Sequence, residues 1–253
     1  MKKNKIFYSL WEILPLLIFL GLWEILARVD LVPKKIFFPP FSLGLREFWY
    51  LTISGILGPN LISSLIRVVI GFSLGSLSGL LMGIMMGWSE VINKTLNPII
   101  SLLYPIPALG WLPLFMLWFG IGEILPILII FICSFFPVLY NTFTGIRNVD
   151  KNYIYVARTL GASNVKIIYT VILPLALPYI FTGLKLEAGM AWRVIVAAEM
   201  VAIPTGIGAL MMKAESLLRI DIIIVCLIVL GIMCLSLEKI FVFLEDRLTG
   251  RWR

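Results

Sequence analysis

The sequence predicts an all-α polytopic membrane protein with six transmembrane helices, and three observations lead to that prediction. Sixty per cent of the 253 residues are hydrophobic, the mean hydropathy is +1.03, and only 14% are charged. A soluble domain of this length needs a larger charged fraction to coat its surface. The apolar residues also form blocks of roughly 20 residues, the length that a helix needs to cross a bilayer. This block length disfavours a soluble protein with an oversized core.

Six apolar blocks are predicted as spans, at residues 8–28, 61–87, 98–119, 124–145, 175–201 and 220–243. The apolar run after Lys2-Lys3-Asn4-Lys5 has no small-residue cleavage site, so we interpret it as a retained first span and not as a secretory signal. Six crossings place both termini on one side of the membrane. Twelve Lys or Arg residues lie on that side and seven on the other, which predicts cytoplasmic termini.

Composition excludes several classes of function. The net charge of +7 comes from basic residues at the ends of apolar blocks and not from a basic stripe with interleaved aromatics, so nucleic acid is not an expected partner. The chain has no histidine, which excludes histidine-based metal sites and catalytic triads. Cys133, Cys226 and Cys234 lie inside apolar blocks without metal-ligand spacing and are expected to be free thiols. We predict no metal site and no catalytic residue.

The chain is interpreted as a single transmembrane domain over residues 1–253. Residues 1–60 supply the first span and an external segment, in which residues 42–57 after Pro39-Pro40 are predicted as an amphipathic helix at the membrane interface. Residues 61–253 form the core, which carries the largest cytoplasmic loop at 146–174. Residues 202–219 are expected to form a second external loop.

Glycine and proline mark two unusual spans. The second span has a glycine at every fourth position, which leaves a groove of bare backbone for close helix approach or, alternatively, for the conduction path. These glycines are Gly71, Gly75, Gly79, Gly83 and Gly87. The third span contains Pro98, Pro105, Pro107 and Pro113 and is expected to be broken. A broken span is a candidate wall of a transport path, and a kinked packing helix is the alternative.

The loop at 146–174 is predicted to form two short helices around a glycine turn. Gly161 supplies the C-terminal cap of the first helix, Ser163 caps the second, and Pro174 begins the next span. Apolar residues such as Val156, Leu160 and Ile167 are expected to be exposed there. Such a surface on a cytoplasmic loop indicates docking of a partner protein.

The spacing in this loop resembles the cytoplasmic signature of binding-protein-dependent ABC importer permeases of type I. That signature is Glu-Ala-Ala, three residues, Gly, nine residues, Ile, one residue and Leu-Pro. Tyr155-Val156-Ala157, Gly161, Val171 and Leu173-Pro174 match its register, with Tyr155 in place of the glutamate. Five further segments resemble the nitrate/sulfonate/taurine branch, namely FFPPFSLGLREFW, SLIRVVIGFSLGSLSGLLMG, YPIPALGWLPLFMLWFGIGE, FFPVLYNTFTGIRNVD and GLKLEAGMAWRVIVAAEM.

The resemblance implies a fold, a location and partners. It implies a multi-pass permease of the bacterial cytoplasmic membrane that pairs with a second copy as a homodimer, two cytoplasmic ATPases and an external substrate-binding protein. ATP and Mg would belong to the ATPases, and this chain has no Gly-x-x-x-x-Gly-Lys-Ser/Thr loop for nucleotide phosphates. The predicted ATPase-docking residues are Tyr155, Val156, Ala157, Arg158, Thr159, Leu160, Gly161, Ala162, Leu173 and Pro174.

Charges inside the fifth span mark a candidate translocation path. Buried charge is costly in a membrane, so Lys185, Glu187, Arg193 and Glu199 should be paired or face water. At 100° per residue, Lys185, Trp192 and Glu199 share one face and Glu187 points away. The guanidinium of Arg193 is predicted either to contact an anionic substrate or to pair with an acid of another span. The path candidates are Pro105, Pro107, Trp111, Lys185, Trp192, Arg193 and Glu199.

Three classes of function differ in what they require of the sequence. An importer permease that moves a small anionic nutrient fits the resemblance. A secondary transporter or channel driven by an ion gradient would show inverted repeats and paired broken helices, and one broken span without a repeat is present. A membrane enzyme would need a reactive constellation that the scattered carboxylates do not form.

Overall fold

The computed structural model describes residues 2–29 and 38–249 and is helical throughout, with no strand in those ranges. This confirms the predicted all-α class. The helices in chain order are α1 (Lys2–Arg28), α2 (Phe41–Ile53), α3 (Leu57–Trp88), α4 (Glu90–Leu103), α5 (Leu112–Phe119), α6 (Ile124–Arg147), α7 (Lys151–Thr159), α8 (Asn164–Ile167), α9 (Leu173–Ala202), α10 (Ile207–Ser216) and α11 (Ile220–Thr249).

Among the described residues, four helical segments are long and apolar enough to cross a membrane, namely α3, α6, α9 together with α8 and the turn between them, and α11. Helix α4 and the segment formed by a 3-10 turn over Ala108–Trp111 and α5 meet the same test only together, and they are bent by 84° at the break between Leu103 and Ala108. Four of the predicted spans lie within α3, α6, α9 and α11, and the broken third span is the bent pair. The first span stays a prediction: α1 contains residues 8–28, but the side chains of its first half lie outside the described residues.

The centre of the bundle is formed by α3, α6 and α9, with α11 packed on α9. One apolar cluster joins Phe72 of α3, Ile130 of α6 and Trp192 of α9, and Phe241 of α11 packs against it. The ring centroids of Phe72 and Phe241 are 5.3 Å apart. Helix α2, which falls on the predicted interface helix, packs its buried Leu51 against Val225 and Val229 of α11.

The regularly spaced glycines of α3 lie against the backbone of α6. A Cβ atom at Gly75 would lie 2.5 Å from the carbonyl oxygen of Phe131, and one at Gly83 would lie 2.7 Å from that of Leu139. Gly71 and Gly87 meet Ile130 and Ile146 of α6 at 2.8 Å in the same way. Real Cβ atoms do not approach this closely, so only glycine allows the two helices to touch along about four turns.

Residues 202–219, which are predicted as an external loop, are partly helical. It contains the ten-residue helix α10, whose Ile207 and Leu210 are buried against α11. The segment before α10 turns at Gly206, which has φ 110°. Ile207, Ala209 and Leu210 place an apolar face on the bundle, and burial of that face stabilises the helix.

We predict that Gly75→Ala and Gly83→Ala each destabilise the chain by about 1–3 kcal/mol, the usual penalty of overpacking a close contact. The added methyl group would force α3 away from the α6 carbonyls. The thermal midpoint of the purified protein in detergent is the measurement. Gly231→Ala on α11 is the matched control, because a Cβ there meets nothing within 4 Å and alanine favours the helix. Equal midpoints for all three variants would contradict the tight α3–α6 contact.

Candidate docking loop and translocation path

The loop between α6 and α9 folds into two short helices separated by a glycine turn. Helix α7 begins after Asp150, whose carboxylate accepts a hydrogen bond from the amide of Asn152 at 2.9 Å. It ends at Thr159, two residues before Gly161, whose φ of 79° lies in the left-handed region that favours glycine. The Ser163 hydroxyl then accepts a hydrogen bond from the amide of Lys166 and begins α8. A π turn over Ile168–Ile172 leads into α9, where Pro174 occupies the first turn.

Helix α7 carries apolar side chains that point away from the bundle. Tyr155 is 57% exposed, Val156 is 60% exposed and Leu160 is 82% exposed. Ile167 differs from its prediction, because it is fully buried against Ile146 and Ile172. It holds the loop to the bundle and leaves Val156 and Leu160 as the outward apolar surface. Ala157 and Ala162 also pack against that same inner cluster.

Helix α9 presents one long exposed face in the single chain. Its members recur at intervals of three or four residues, and they are Leu175, Tyr179, Thr182, Leu186, Met190 and Arg193. The opposite face is buried against α3 and α6. A continuous exposed stripe on a central helix is where a second subunit or an aqueous path would lie.

A cavity of ≈690 Å³ opens beside this stripe, between α6, α9 and α11. Arg193 and Lys185 of α9 line it together with Glu238 of α11. The ammonium of Lys185 donates a 2.5 Å hydrogen bond to Glu245 of α11, so it is neutralised inside the protein. No carboxylate in the described part of the chain lies within 4.0 Å of the Arg193 guanidinium, which donates a hydrogen bond to the sulfur of Met190 at 3.6 Å. Arg193 therefore keeps its donors for another group.

The other predicted path residues divide into two groups. Pro105 is exposed at the bend, and Pro107 lines a second cavity of ≈170 Å³ that shares Glu187 and Met190 with the first. Trp192 and Glu199 are buried in the core and line neither cavity, and Trp111 is half-buried in an apolar cluster with Phe115. The shared face predicted for Lys185, Trp192 and Glu199 is thus mostly the packed face of α9.

Glu187 lies where sequence reasoning did not place it. It is only 6% exposed, it borders both cavities, and the thiol of Cys133 donates a 3.4 Å hydrogen bond to its carboxylate. At 100° per residue, the sequence predicts that Glu187 points away from the face of Lys185. In the structure its side chain lies toward α6 and the bend between α4 and α5. No signal in the sequence identifies α6 as its neighbour.

Arg67 is the centre of a buried polar network that the sequence did not reveal. Its side chain is 3% exposed, and it donates paired hydrogen bonds of 2.6 and 2.7 Å to Glu123. It also donates at 2.7 Å to Glu199, which is fully buried, and to the carbonyl and hydroxyl oxygens of Thr205 at 2.9 and 2.7 Å. All three guanidinium nitrogens are therefore occupied, as buried charge requires.

The network fixes the chain between α9 and α10. Ser64 donates a hydrogen bond to Glu199 at 2.8 Å and accepts one from the amide of Ile207. The amide of Gly208 donates to Glu199 at 3.0 Å, and that of Gly206 donates to Asn60. One guanidinium thereby joins α3, the α5–α6 connection and the segment before α10. Arg67 itself is buried within α3.

Glu123 is the exposed arm of this network. It lies just before α6, its side chain is 64% exposed, and the hydrogen bonds from Arg67 hold the pKa of its carboxyl below the ordinary value because they favour the ionised form. The Arg67–Glu123 pair therefore stays charged at neutral pH on the water side of the network.

Comparison with known proteins decides the family. Residues 75–253 match the model of the binding-protein-dependent transport system inner membrane component. The chain belongs to that family. It is a permease subunit of an ABC importer, and its expected resemblance to the nitrate, sulfonate and taurine branch is confirmed by relatives that carry those names.

Two relatives cover most of this permease. The taurine transport system permease protein TauC of Escherichia coli is 36% identical over 92% of the chain and 86% of its own length. The nitrate import permease protein NrtB of Synechocystis is 38% identical over 75% of the chain and 69% of its own length. A solved amino acid ABC transporter superposes with a TM-score of 0.64, at 21% identity over 81% of this chain and 97% of its own. The predicted type I importer permease fold is confirmed.

We predict that Arg67→Met lowers the free energy of unfolding by about 3–5 kcal/mol, because it leaves the Glu199 carboxylate buried without its charged partner. The double variant Arg67→Met/Glu199→Met should lose less than the sum of the two single variants, since no buried charge remains. Unfolding of the purified permease by a denaturing detergent measures both.

Lys94→Met serves as the control, because Lys94 is 77% exposed and lies 3.9 Å from Glu90, and such surface pairs contribute about 0–1 kcal/mol. A cost for Arg67→Met as small as that of Lys94→Met would contradict the structural importance of the network.

Proposed function

We propose that this permease imports a small anionic nutrient by alternating access, as a homodimer driven by two cytoplasmic ATPases and supplied by an external binding protein. The observation that carries the proposal is the loop around Gly161, which combines the register of the family signature with an exposed apolar surface. An exposed patch of this kind on a water-facing loop is stable when a partner covers it.

The ATPase docks on the outward face of α7. Val156 and Leu160 supply apolar contact area, Tyr155 takes the position of the family's glutamate, and Gly161 sets the angle at which the loop turns back. A rigid loop is needed to transmit motion, and the caps at Asp150 and Ser163 together with buried Ile167 provide that rigidity. ATP and Mg bind to the partner, so this subunit performs no hydrolysis itself.

The second permease copy packs on the exposed stripe of α9. In a dimer with two-fold symmetry the same stripe of each copy faces the other, so both copies contribute one wall to a central path. The cavity beside Arg193 opens next to this stripe and would join the path. The opposite ends of the bundle, with α7 inside and α10 outside, agree with cytoplasmic termini and external docking of the binding protein.

The substrate is a small anion that Arg193 contacts during passage. A guanidinium with no carboxylate partner in the described residues is available for a sulfonate, nitrate or carboxylate oxygen pair. The alternative prediction for Arg193, an internal ion pair, is not formed within 4.0 Å in the described chain, and Glu238, which lines the same cavity, is the acid that could form it. Relatives named for taurine, aliphatic sulfonates and nitrate are consistent with this substrate class.

The docking prediction uses Leu160→Asp and Val156→Asp in α7. Each places a carboxylate on the apolar surface, so we expect co-purification with the cognate ATPase to fall at least about tenfold, which corresponds to the cost of a desolvated charge at an interface. The yield and thermal midpoint of the permease itself should not change, because both side chains are exposed. Val91→Asp is the matched control, since Val91 is 75% exposed at the same end of the bundle. Undiminished co-purification of both α7 variants would overturn the docking proposal.

The substrate prediction uses Arg193→Ala and Arg193→Lys in the assembled transporter reconstituted in vesicles. Loss of the paired donors should reduce ATP-driven uptake of the anion about 10- to 100-fold for alanine, in keeping with one lost charge-assisted interaction, and less for lysine. Binding-protein-stimulated ATP hydrolysis reports on assembly. Arg46→Ala, at an exposed position of α2, is the control. Normal uptake by an intact Arg193→Ala complex would remove Arg193 from the path.

A further inference from the structure

A basic cavity of ≈430 Å³ lies between α7 and the ends of α3 and α6. Three cations line it, Arg147 at the end of α6 and Lys151 and Arg158 on α7. The Arg147 guanidinium is paired with Glu90 at 2.6 Å. Lys151 and Arg158 have no carboxylate within 4.0 Å among residues 2–29 and 38–249, and Lys151 interacts with Glu90 only at longer range, so the three cations that line the cavity outnumber the one acid paired with them.

The cavity occupies a different face of α7 from the docking surface. At 100° per residue, Lys151, Ile154 and Arg158 centre on one side of the helix, and Val156 and Leu160 centre on the opposite side. Val156 and Leu160 are exposed, whereas the basic side borders the ends of α3 and α6, with Tyr155 at the edge of the cavity. Arg158, which the sequence predicts as a docking residue, thus lies on the cavity side of the helix, and an ATPase that docks through Val156 and Leu160 leaves that side accessible.

The position of the cavity along the spanning helices corresponds to the level of the membrane surface. It lies where the spanning helices α3 and α6 end, and it includes Trp88 as the last residue of α3. Tryptophan at the end of a span commonly lies at the level of the lipid head groups. Basic pockets between helices at the cytoplasmic surface suit anionic head groups, because lysine and arginine both bind phosphate oxygens.

We propose that this cavity binds the phosphate of an anionic phospholipid, with Lys151 and Arg158 as its ligands. The lipid phosphate would connect α7 to the ends of α3 and α6 through charge, in addition to the apolar contact of Ile154. The membrane would thus hold the basic face of the same helix whose other face contacts the ATPase. This inference depends on the membrane insertion of α3 and α6 and is independent of the substrate and of the ATPase.

The test measures lipid binding to the purified full-length permease in detergent by native mass spectrometry. Dioleoylphosphatidylglycerol is compared with dioleoylphosphatidylcholine, which has a phosphate but no net charge, and inorganic phosphate is added as a competitor. We expect preferential retention of the phosphatidylglycerol. The variant Lys151→Gln/Arg158→Gln should lower its affinity about tenfold or more, since each basic residue near the surface contributes appreciably to binding of anionic lipid.

The matched control Lys94→Gln/Lys166→Gln removes the same charge from exposed positions at the same end of the bundle. It should leave the affinity within about twofold if the cavity is specific. Lys151→Arg/Arg158→Lys keeps both charges and should retain the lipid. The single variants Lys151→Gln and Arg158→Gln replace the double variant if its thermal midpoint shows a folding defect.

Three results would overturn the proposal. Equal loss of lipid in the cavity variant and the control variant would mean that binding reflects net charge alone. Equal retention of the two lipids would mean that charge plays no part. Displacement of phosphatidylglycerol by millimolar inorganic phosphate, with no lipid preference in its absence, would assign the cavity to a free anion.

Discussion

The close contact of α3 and α6 is the constraint on which the rest of this permease depends. Between helices surrounded by lipid there is little hydrophobic driving force, so helices associate through van der Waals contact over bare backbone. The glycine groove of α3 brings its backbone against the carbonyl groups of α6, and α9 then packs on both helices. The cavities and the loop around Gly161 are positioned by α6 and α9, so an error in this first contact would displace them all.

A buried charge provides the second fixed point, at the opposite end of the bundle from α7. Apolar packing alone does not determine the path of the chain between α9 and α10, because that segment contains Pro204 and Gly206 and offers few apolar side chains. The Arg67 guanidinium supplies five hydrogen bonds to three separate segments, and fully satisfied polar networks specify one arrangement. The same network requires glycine at positions 206 and 208, since a Cβ at either position would meet the Glu199 side chain.

The sequence predicted features that depend on local chemistry and missed features that depend on which helices meet. Block length located the spans within α3, α6, α9 and α11, proline marked the break before α5, and Gly161 with Ser163 defined the two short helices of the loop between α6 and α9. Each of these signals lies within a few residues of its consequence. The Arg67–Glu199 pair joins residues 132 positions apart, and the contact of Glu187 with Cys133 joins two different spans. A helical wheel gives the direction of a side chain and not its neighbour, so Trp192 and Glu199 were assigned to the path although Trp192 packs against α3 and α6 and Glu199 is bonded to α3 and α10. Ile167 was expected outside because it lies in a loop, and the loop's fold against the bundle buries it.

The two faces of α7 carry the contacts on which the proposed coupling of ATPase and permease depends. The helix is short, and isolated helices of nine residues are marginal in water, so its order comes from its surroundings. Ile154 and Ala157 anchor it to the bundle, and the caps at both ends fix its length. An apolar outer face with a basic inner face allows two partners to act on one rigid element from opposite sides. A force applied to Val156 and Leu160 would pass through α7 to the ends of α3 and α6, and from there along the glycine seam to the helices that line the cavity of Arg193.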